Sequence, residues 1–329
     1  MKKLVIDVYG ADAGVAPIVL GAKKVSEKYP DIMTVLVGDK EDIMGSFNGK
    51  LPINISVIDT AEVIENTDDP KIILGDNRSS MALALDYLKN NDDCIGLLSP
   101  GSTGALLIGS IFRLGLIKGL RLPALSSAIP TAYGNTVCLV DCGANLNCTA
   151  KDYTRFALMG DAFVRSISPK TTPRIGTLTV GRENAKGTPE MIEAHALIGK
   201  TSLNFIGNVE GSDLANGYAD VIVADGFSGN VLLKSTESTG KAAMKLTEEM
   251  IAGHPEAREV LIKLKENMSS IFDLNMRGGA TFLGTKKPVI KMHGIASDLT
   301  VLSCADQLFR LNKSDFSAMV AKAIEDNPV

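Results

Sequence analysis

Short apolar runs recur along this chain, and most deliver it into a turn containing glycine, serine or asparagine before a helical pattern begins. Lys3–Val8 leads into Asp7-Val8-Tyr9-Gly10-Ala11-Asp12, Met33–Val37 into Gly38-Asp39, Cys94–Leu98 into Ser99-Pro100-Gly101-Ser102-Thr103-Gly104, and Val137–Val140 into Asp141-Cys142-Gly143-Ala144-Asn145. Ile53–Ile58, Ala124–Ile129, Ile175–Val180 and Val289–Lys291 read as further strands. Between them the spacing predicts helices over about Ala16–Lys28, Ser79–Asn90, Ala105–Leu114 and Asp152–Ser166. The second carries Met81, Leu85 and Leu88 on one face behind a Ser79 cap. Strands and helices alternating at this length predict a mostly parallel sheet with helices on both faces. Beyond Asn230 the pattern shifts to long helices, with Lys241–Ala252 broken by Gly253-His254-Pro255. No linker, repeat or low-complexity tract divides the chain, so 1–329 reads as one domain with a long-helix subregion at about 235–275.

The turns themselves suggest chemistry. Two fall close together between Asn204 and Lys234: Phe205–Ile206 ends at Gly207-Asn208, and Val221–Val223 ends at Asp225-Gly226-Phe227-Ser228-Gly229-Asn230. A strand that ends in Gly, Ser and Asn and opens a helix holds anions well. Glycine lets backbone N–H groups approach the ligand, and the helix N-terminus adds partial positive charge. One such turn alone is more often an ordinary connection, but their repetition favours an anion site. In Gly101-Ser102-Thr103-Gly104 the hydroxyls and glycine N–H groups suit an oxyanion or phosphate, although the G-x-x-x-x-G-K-[ST] loop is missing. The first strand is not followed by G-x-G-x-x-G, which disfavours a nicotinamide.

Further candidates follow the same logic. Asp141 suits a general base, and Asn145 an amide donor to a carbonyl. Cys142 or Cys148 offers an acyl-accepting thiol, but no His partner is evident, so a buried free thiol is the better reading. Lys186, between the turn residues of Gly181–Gly187, suits a phosphate or the charge developing on a thioester oxygen; the alternative is a solvated loop lysine. The functional reading rests on these turns ending at one edge of the sheet, where ligands of such folds sit.

Composition excludes several classes. A net charge of −4 without an Arg/Lys-rich run gives no case for binding nucleic acid. The three histidines show no metal-ligand spacing, and five cysteines without a C-x-x-C pair suit a reducing cytosol. The N-terminus is too short an apolar run for a signal peptide. Cys94 to Phe112 is uncharged and about as long as a membrane span, but SPGSTG in its middle would break a spanning helix. Val260, Leu261, Leu264, Met268, Ile271 and Phe272 form an apolar stripe at helical spacing. It reads as core or dimer contact, with a membrane-surface helix as the alternative.

Read in order, SPGSTGA at 99–105, LVDCGANLNC at 139–148, NFIGNVEG at 204–211, DVIVADGFSGNVLLK at 220–234 and KMHGIASD at 291–298 resemble the phosphate acyltransferase (acyl-ACP:phosphate transacylase) family. The resemblance runs from Ile6 to about Phe309. It implies a three-layer α/β/α fold similar to that of isocitrate and isopropylmalate dehydrogenases, used without a nicotinamide or any other cofactor. The implied reaction moves a fatty acyl group from acyl carrier protein to inorganic phosphate, and the acyl phosphate passes to a downstream acyltransferase of phospholipid synthesis. A cytoplasmic homodimer in peripheral contact with the inner face of the cell membrane is implied too. Lys186 and Asn230 fall where the family's proposed active-site lysine and asparagine lie. Around them we expect phosphate to meet Gly101, Ser102, Thr103, Gly104, Asn145, Asn208, Gly226, Ser228 and Gly229. The first turn departs from the family's usual D-A-M-G-G-D, with Tyr9 and Ala11 expected to reshape the pocket floor, and Arg182 stands where an acid is common. A short-chain acyl-CoA phosphotransacylase and a non-catalytic subunit that binds acyl-ACP are the rival readings.

Overall fold

The computed structural model describes residues 1–272 and 278–328. One sheet of eleven strands runs through them. From one edge its order is β3 (Ile55–Asp59), β2 (Ile32–Gly38), β1 (Lys2–Asp7), β4 (Cys94–Ser99), β11 (Val289–Lys291), β10 (Ala280–Leu283), β5 (Ala124–Pro130), β6 (Thr136–Val140), β9 (Val221–Val223), β7 (Arg174–Leu178) and β8 (Asn204–Val209). The first five are mutually parallel, and so are the last four. The pairs β11/β10, β10/β5 and β5/β6 between them are antiparallel.

That central count corrects one expectation. Three reversals in a row turn the second parallel group head to tail against the first. The corner after β4 therefore leaves the opposite edge of the sheet from the corners after β6, β7 and β9, not the same edge. The strand that sets this direction, β10, is four residues long and was not foreseen from the pattern.

Among the described residues eleven α-helices cover the two faces: α1 (Val15–Lys28), α2 (Lys40–Ser46), α3 (Ser80–Asn90), α4 (Thr103–Gly109), α5 (Ala150–Ile167), α6 (Pro189–Ile198), α7 (Ser212–Asn216), α8 (Gly226–Gly253), α9 (Arg258–Phe272), α10 (Asp298–Lys313) and α11 (Phe316–Asp326). Alternate strand residues point to opposite faces. Val5, Val37, Leu97, Leu139 and Ile222 pack under α3, α4 and α8 in one core that crosses both halves. On the other face Leu4, Ile6 and Leu98 meet α1 and α10, while Val140, Val221 and Val223 meet α5, α6 and α11. The result is the three-layer arrangement expected.

The long-helix region is a hairpin of α8 and α9. Helix α8 starts earlier than the apolar pattern suggested, because Asp225 caps it and Gly226–Gly229 form its first turn. It stops at Gly253, ahead of Pro255, as read from sequence. The stripe on α9 divides. Leu261 is buried, Met268 Sδ accepts from Thr247 Oγ1 at 3.7 Å, and Phe272 packs against Gly240, whereas Val260 and Leu264 are exposed. The Ile271 side chain lies outside the described residues. Among the described residues no helix is long and apolar enough to cross a membrane.

Candidate functional site

A cavity of about 490 Å³ opens where the two oppositely directed halves meet, within the size range of small-molecule sites. Its wall includes Pro100 and Thr103 from the corner after β4, and Lys291, Met292, His293 and Gly294 from the corner after β11. Leu125, Ser127 and Ala128 of β5, Cys142 and Gly143 after β6, and Asn230, Leu233, Lys234 and Glu237 of α8 complete most of the rest. The four α8 residues have the i, i+3, i+4, i+7 spacing of one helix face. The register places Val140 level with Ser126, Thr281, Ile290 and Leu98, so the ends of β6 and β4 meet near the middle of the sheet despite their opposite directions.

That corner is tied down from below. Asp7, buried at the end of β1, accepts from Ser99 Oγ at 2.7 Å and from the Tyr9 amide at 3.2 Å. Ser99 Oγ in turn accepts from the Gly101 amide at 3.1 Å. A methyl on Gly101 would sit 2.6 Å from Met81 Cε, the far end of a flexible side chain. Ser102 precedes α4 without a side-chain cap, and the amides of Thr103 and Gly104 have no acceptor among the described residues. Uncapped N–H groups at a helix start call for an outside acceptor.

The corner after β9 is different. Asp225 accepts from the amides of Phe227 and Ser228, each at 2.9 Å. Gly226 N–H goes to the Asn145 carbonyl at 2.7 Å, and Gly229 N–H to the Asp225 carbonyl at 2.9 Å. The amides of Gly226, Ser228 and Gly229 are thus all occupied within the protein. What this corner brings to the cavity is the Asn230 side chain.

Asn145 and Asn208 act inside the scaffold. Asn145 Nδ2 donates to the Pro123 carbonyl and to Asp141, both at 2.8 Å. Asp141 is fully buried and also accepts from the amides of Leu125, Gly143, Ala144 and Asn145, which leaves it no free lone pair for a base's work. Asn208 accepts from Thr177 Oγ1 at 3.1 Å and donates to the carbonyls of Glu183 at 2.7 Å and Lys186 at 3.3 Å, so it fixes the loop after β7. Arg182 anchors the same loop by pairing with Asp213 and lying 4.8 Å over the Tyr218 ring. Lys186 is exposed on that loop, makes no ion pair among the described residues, and is not part of the cavity wall. Tyr9, whose hydroxyl accepts from the Asp39 amide at 3.1 Å, is not part of it either.

Among the described residues the charges on the wall are two ammonium groups, Lys234 and Lys291, and one carboxylate, Glu237, with the His293 imidazole beside them. Lys234 pairs with Glu237 at 2.8 Å. Burial lowers Lys291 to about 8, partly offset by the charges of Asp7 and Asp12. Burial also lowers His293. The Cys142 thiol is pushed far up by burial and then by Asp141, and Cys148 rises to about 12 for the same two reasons. Such thiols stay protonated near neutrality and are poor nucleophiles.

Sequence reasoning did not single out Lys234, Glu237, Lys291 and His293 as site residues. The signal for the first two was their spacing from Asn230. For the others it was one more strand ending in a glycine corner, Lys291-Met292-His293-Gly294.

Comparison with known proteins agrees with the fold and adds a family. The family described as "Fatty acid synthesis protein" matches residues 2–319. Proteins named phosphate acyltransferase from Bacillus thuringiensis (strain Al Hakam) and Bacillus anthracis are each 34% identical to it over 333 residues, covering 99% of both chains. Among solved structures, a phosphotransacetylase from Streptococcus pyogenes superposes with a TM-score of 0.62 at 14% identity, covering 98% of this chain and 94% of its own. A branched-chain phosphotransacylase from Enterococcus faecalis V583 gives 0.56 at 15% identity, covering 95% and 99%. At those identities the structural likeness speaks for the fold alone.

Proposed function

Since the chain belongs to the phosphate acyltransferase family, we propose that it transfers a fatty acyl group from acyl carrier protein to inorganic phosphate. The observation that carries this reading is the convergence of Lys234, Lys291 and Asn230 on one cavity whose wall, among the described residues, holds a single carboxylate, already paired. Such a site attracts an anion and can polarise a carbonyl. Phosphate is nucleophilic without help at neutral pH, so the protein's task is to bring two reactants together and steady the charge that develops. A phosphate oxygen attacks the thioester carbon, the C–O bond forms, the C–S bond breaks, and the carrier leaves as thiolate. The protonated state of Cys142 and Cys148 supports direct attack over an acyl-cysteine intermediate.

Asn230 is the proposed amide at the reacting carbonyl. Lys186, exposed and without an acid partner among the described residues, is proposed as a further cation that reaches substrate from its loop. Lys186→Ala is expected to lower kcat/KM about 100-fold, the scale of losing one oxyanion donor. Near-normal turnover would remove it from the mechanism. The decisive assay for the whole reading is phosphate-dependent thioester cleavage, run with acyl-ACP and short acyl-CoA side by side. Cleavage of only the acyl-CoA, or of neither, overturns it.

The exposed Leu246, Met250, Val260 and Leu264 of the α8–α9 hairpin support two further parts of the reading: a homodimer, and contact with the inner face of the cell membrane. Sedimentation of the pure chain and flotation with anionic vesicles test them separately.

A further inference from the structure

We propose that Lys291 is the residue that grips inorganic phosphate inside the cavity. This rests on the reading that the cavity takes phosphate, and it adds a ligand that neither the spacing of the turns nor the family resemblance pointed to.

Lys291 ends β11, a central strand, and forms part of the cavity wall. Its ammonium donates to the Pro100 carbonyl at 2.8 Å and to the Met292 carbonyl at 2.5 Å. An ammonium has three N–H donors, and the third has no acceptor among the described residues. Among the described residues no carboxylate lies within 4.0 Å to form an ion pair with it, in contrast to Lys234, whose charge is met by Glu237. A half-buried cation without a paired anion among the described residues is costly. A bound oxyanion would relieve that cost, and the wall leaves room for one.

The mount is rigid as well. The Met292 amide donates to the Ser99 carbonyl at 2.9 Å, and the Asp7–Ser99–Gly101 bonds hold the turn that presents the Pro100 carbonyl. The ammonium is therefore fixed across the ends of three neighbouring strands, β1, β4 and β11. The groups facing Lys291 are Asp7 and Asp12 from the first strand and its turn, Lys234 from α8 and Cys304 from α10. Asp7 already accepts from Ser99 and Tyr9. Burial leaves the amine losing its proton near pH 8, so the grip weakens as pH rises through that value.

The test is equilibrium dialysis of radiolabelled inorganic phosphate against the full chain, with steady-state KM values for phosphate and acyl donor alongside. Lys291→Met is expected to weaken phosphate binding by about 10- to 100-fold, the range for a hydrogen bond to a charged group, with the acyl-donor KM little changed. Lys291→Arg should recover part of the affinity. Wild-type affinity should fall towards about ten-fold per pH unit above pH 8, while the Arg variant stays flat; this comparison stands even if the Met variant folds poorly. Wild-type affinity in the Met variant, a flat wild-type profile from about pH 7 to pH 9.5, or no phosphate binding by the wild type would each overturn the assignment. Lys291-dependent phosphate binding without acyl phosphate formation would leave it standing and defeat the acyl-transfer reading instead.

Discussion

The corners at 99–104 and 225–230 look alike in sequence, since each ends a buried strand with glycine and serine and opens a helix. Their backbones are in opposite states. At the second, Asp225 supplies the anion itself and occupies the amides that a ligand would need. At the first, Ser102 stands before α4 without a side-chain cap, and a lysine from the neighbouring strand adds positive charge behind it. The difference teaches that glycine content marks where backbone can approach an anion, while the residue at the cap decides whether the place is already taken.

The largest effect that would probe this contrast comes from exchanging the glycines. A methyl on Gly229 would overlap the Asp141 carbonyl oxygen, part of a backbone held by the buried Asp141 carboxylate. Gly229→Ala is expected to cost about 3 kcal/mol or more, read as a lost or strongly lowered unfolding transition. Gly101→Ala meets the far end of the flexible Met81 side chain at 2.6 Å and should fold, with its main effect on phosphate affinity. Equal destabilisation by the two would break the distinction between a packed corner and an open one.

Next in size is Asn230→Ala. If the self-capped corner serves the site only through this side chain, kcat/KM should fall about 100-fold while thermal stability barely moves. Loss of activity from the main chain of 226–229, seen with Asn230 intact, would contradict the contrast from the other side.

Much of the fold was legible because buried strands and capped helices leave local marks. Cys94–Leu98, Val137–Val140 and Ser79–Asn90 all appear within a residue or two of where the pattern put them. Strand direction left no such mark. Ala280–Leu283 is too short to announce itself, yet its antiparallel pairing with β11 and β5 reverses half the sheet. The site was legible in the same uneven way. Thr103 and Asn230, candidates for phosphate binding and catalysis by motif, lie on the cavity wall. Lys291 was not a candidate, because a lysine at a strand end is ordinarily solvated. Only the packing of three strand ends shows that this one has carbonyls for neighbours and, among the described residues, no ion-pair partner, although Asp7 and Asp12 face it. Asn145 and Asn208 carried the right chemistry, but their partners, Asp141, Pro123 and the 183–186 loop, are distant in sequence.

The smallest effect is the most discriminating. Asp225→Ala removes the cap of α8 and frees the amides of Phe227 and Ser228, at an expected cost of about 1 kcal/mol in denaturant unfolding. Neither of those residues is on the cavity wall, so the phosphate KM should stay where it was. A helix start that is open but lies off the cavity wall is not joined there by Lys291 as a second ligand. If the freed amides lowered the phosphate KM, the two corners would be competing for the same ion, and Asp225 would be a guard on the site in addition to a cap. An unchanged KM with the expected loss of stability would leave the corner after β4 as the anion-binding end of the cavity and the corner after β9 as its support.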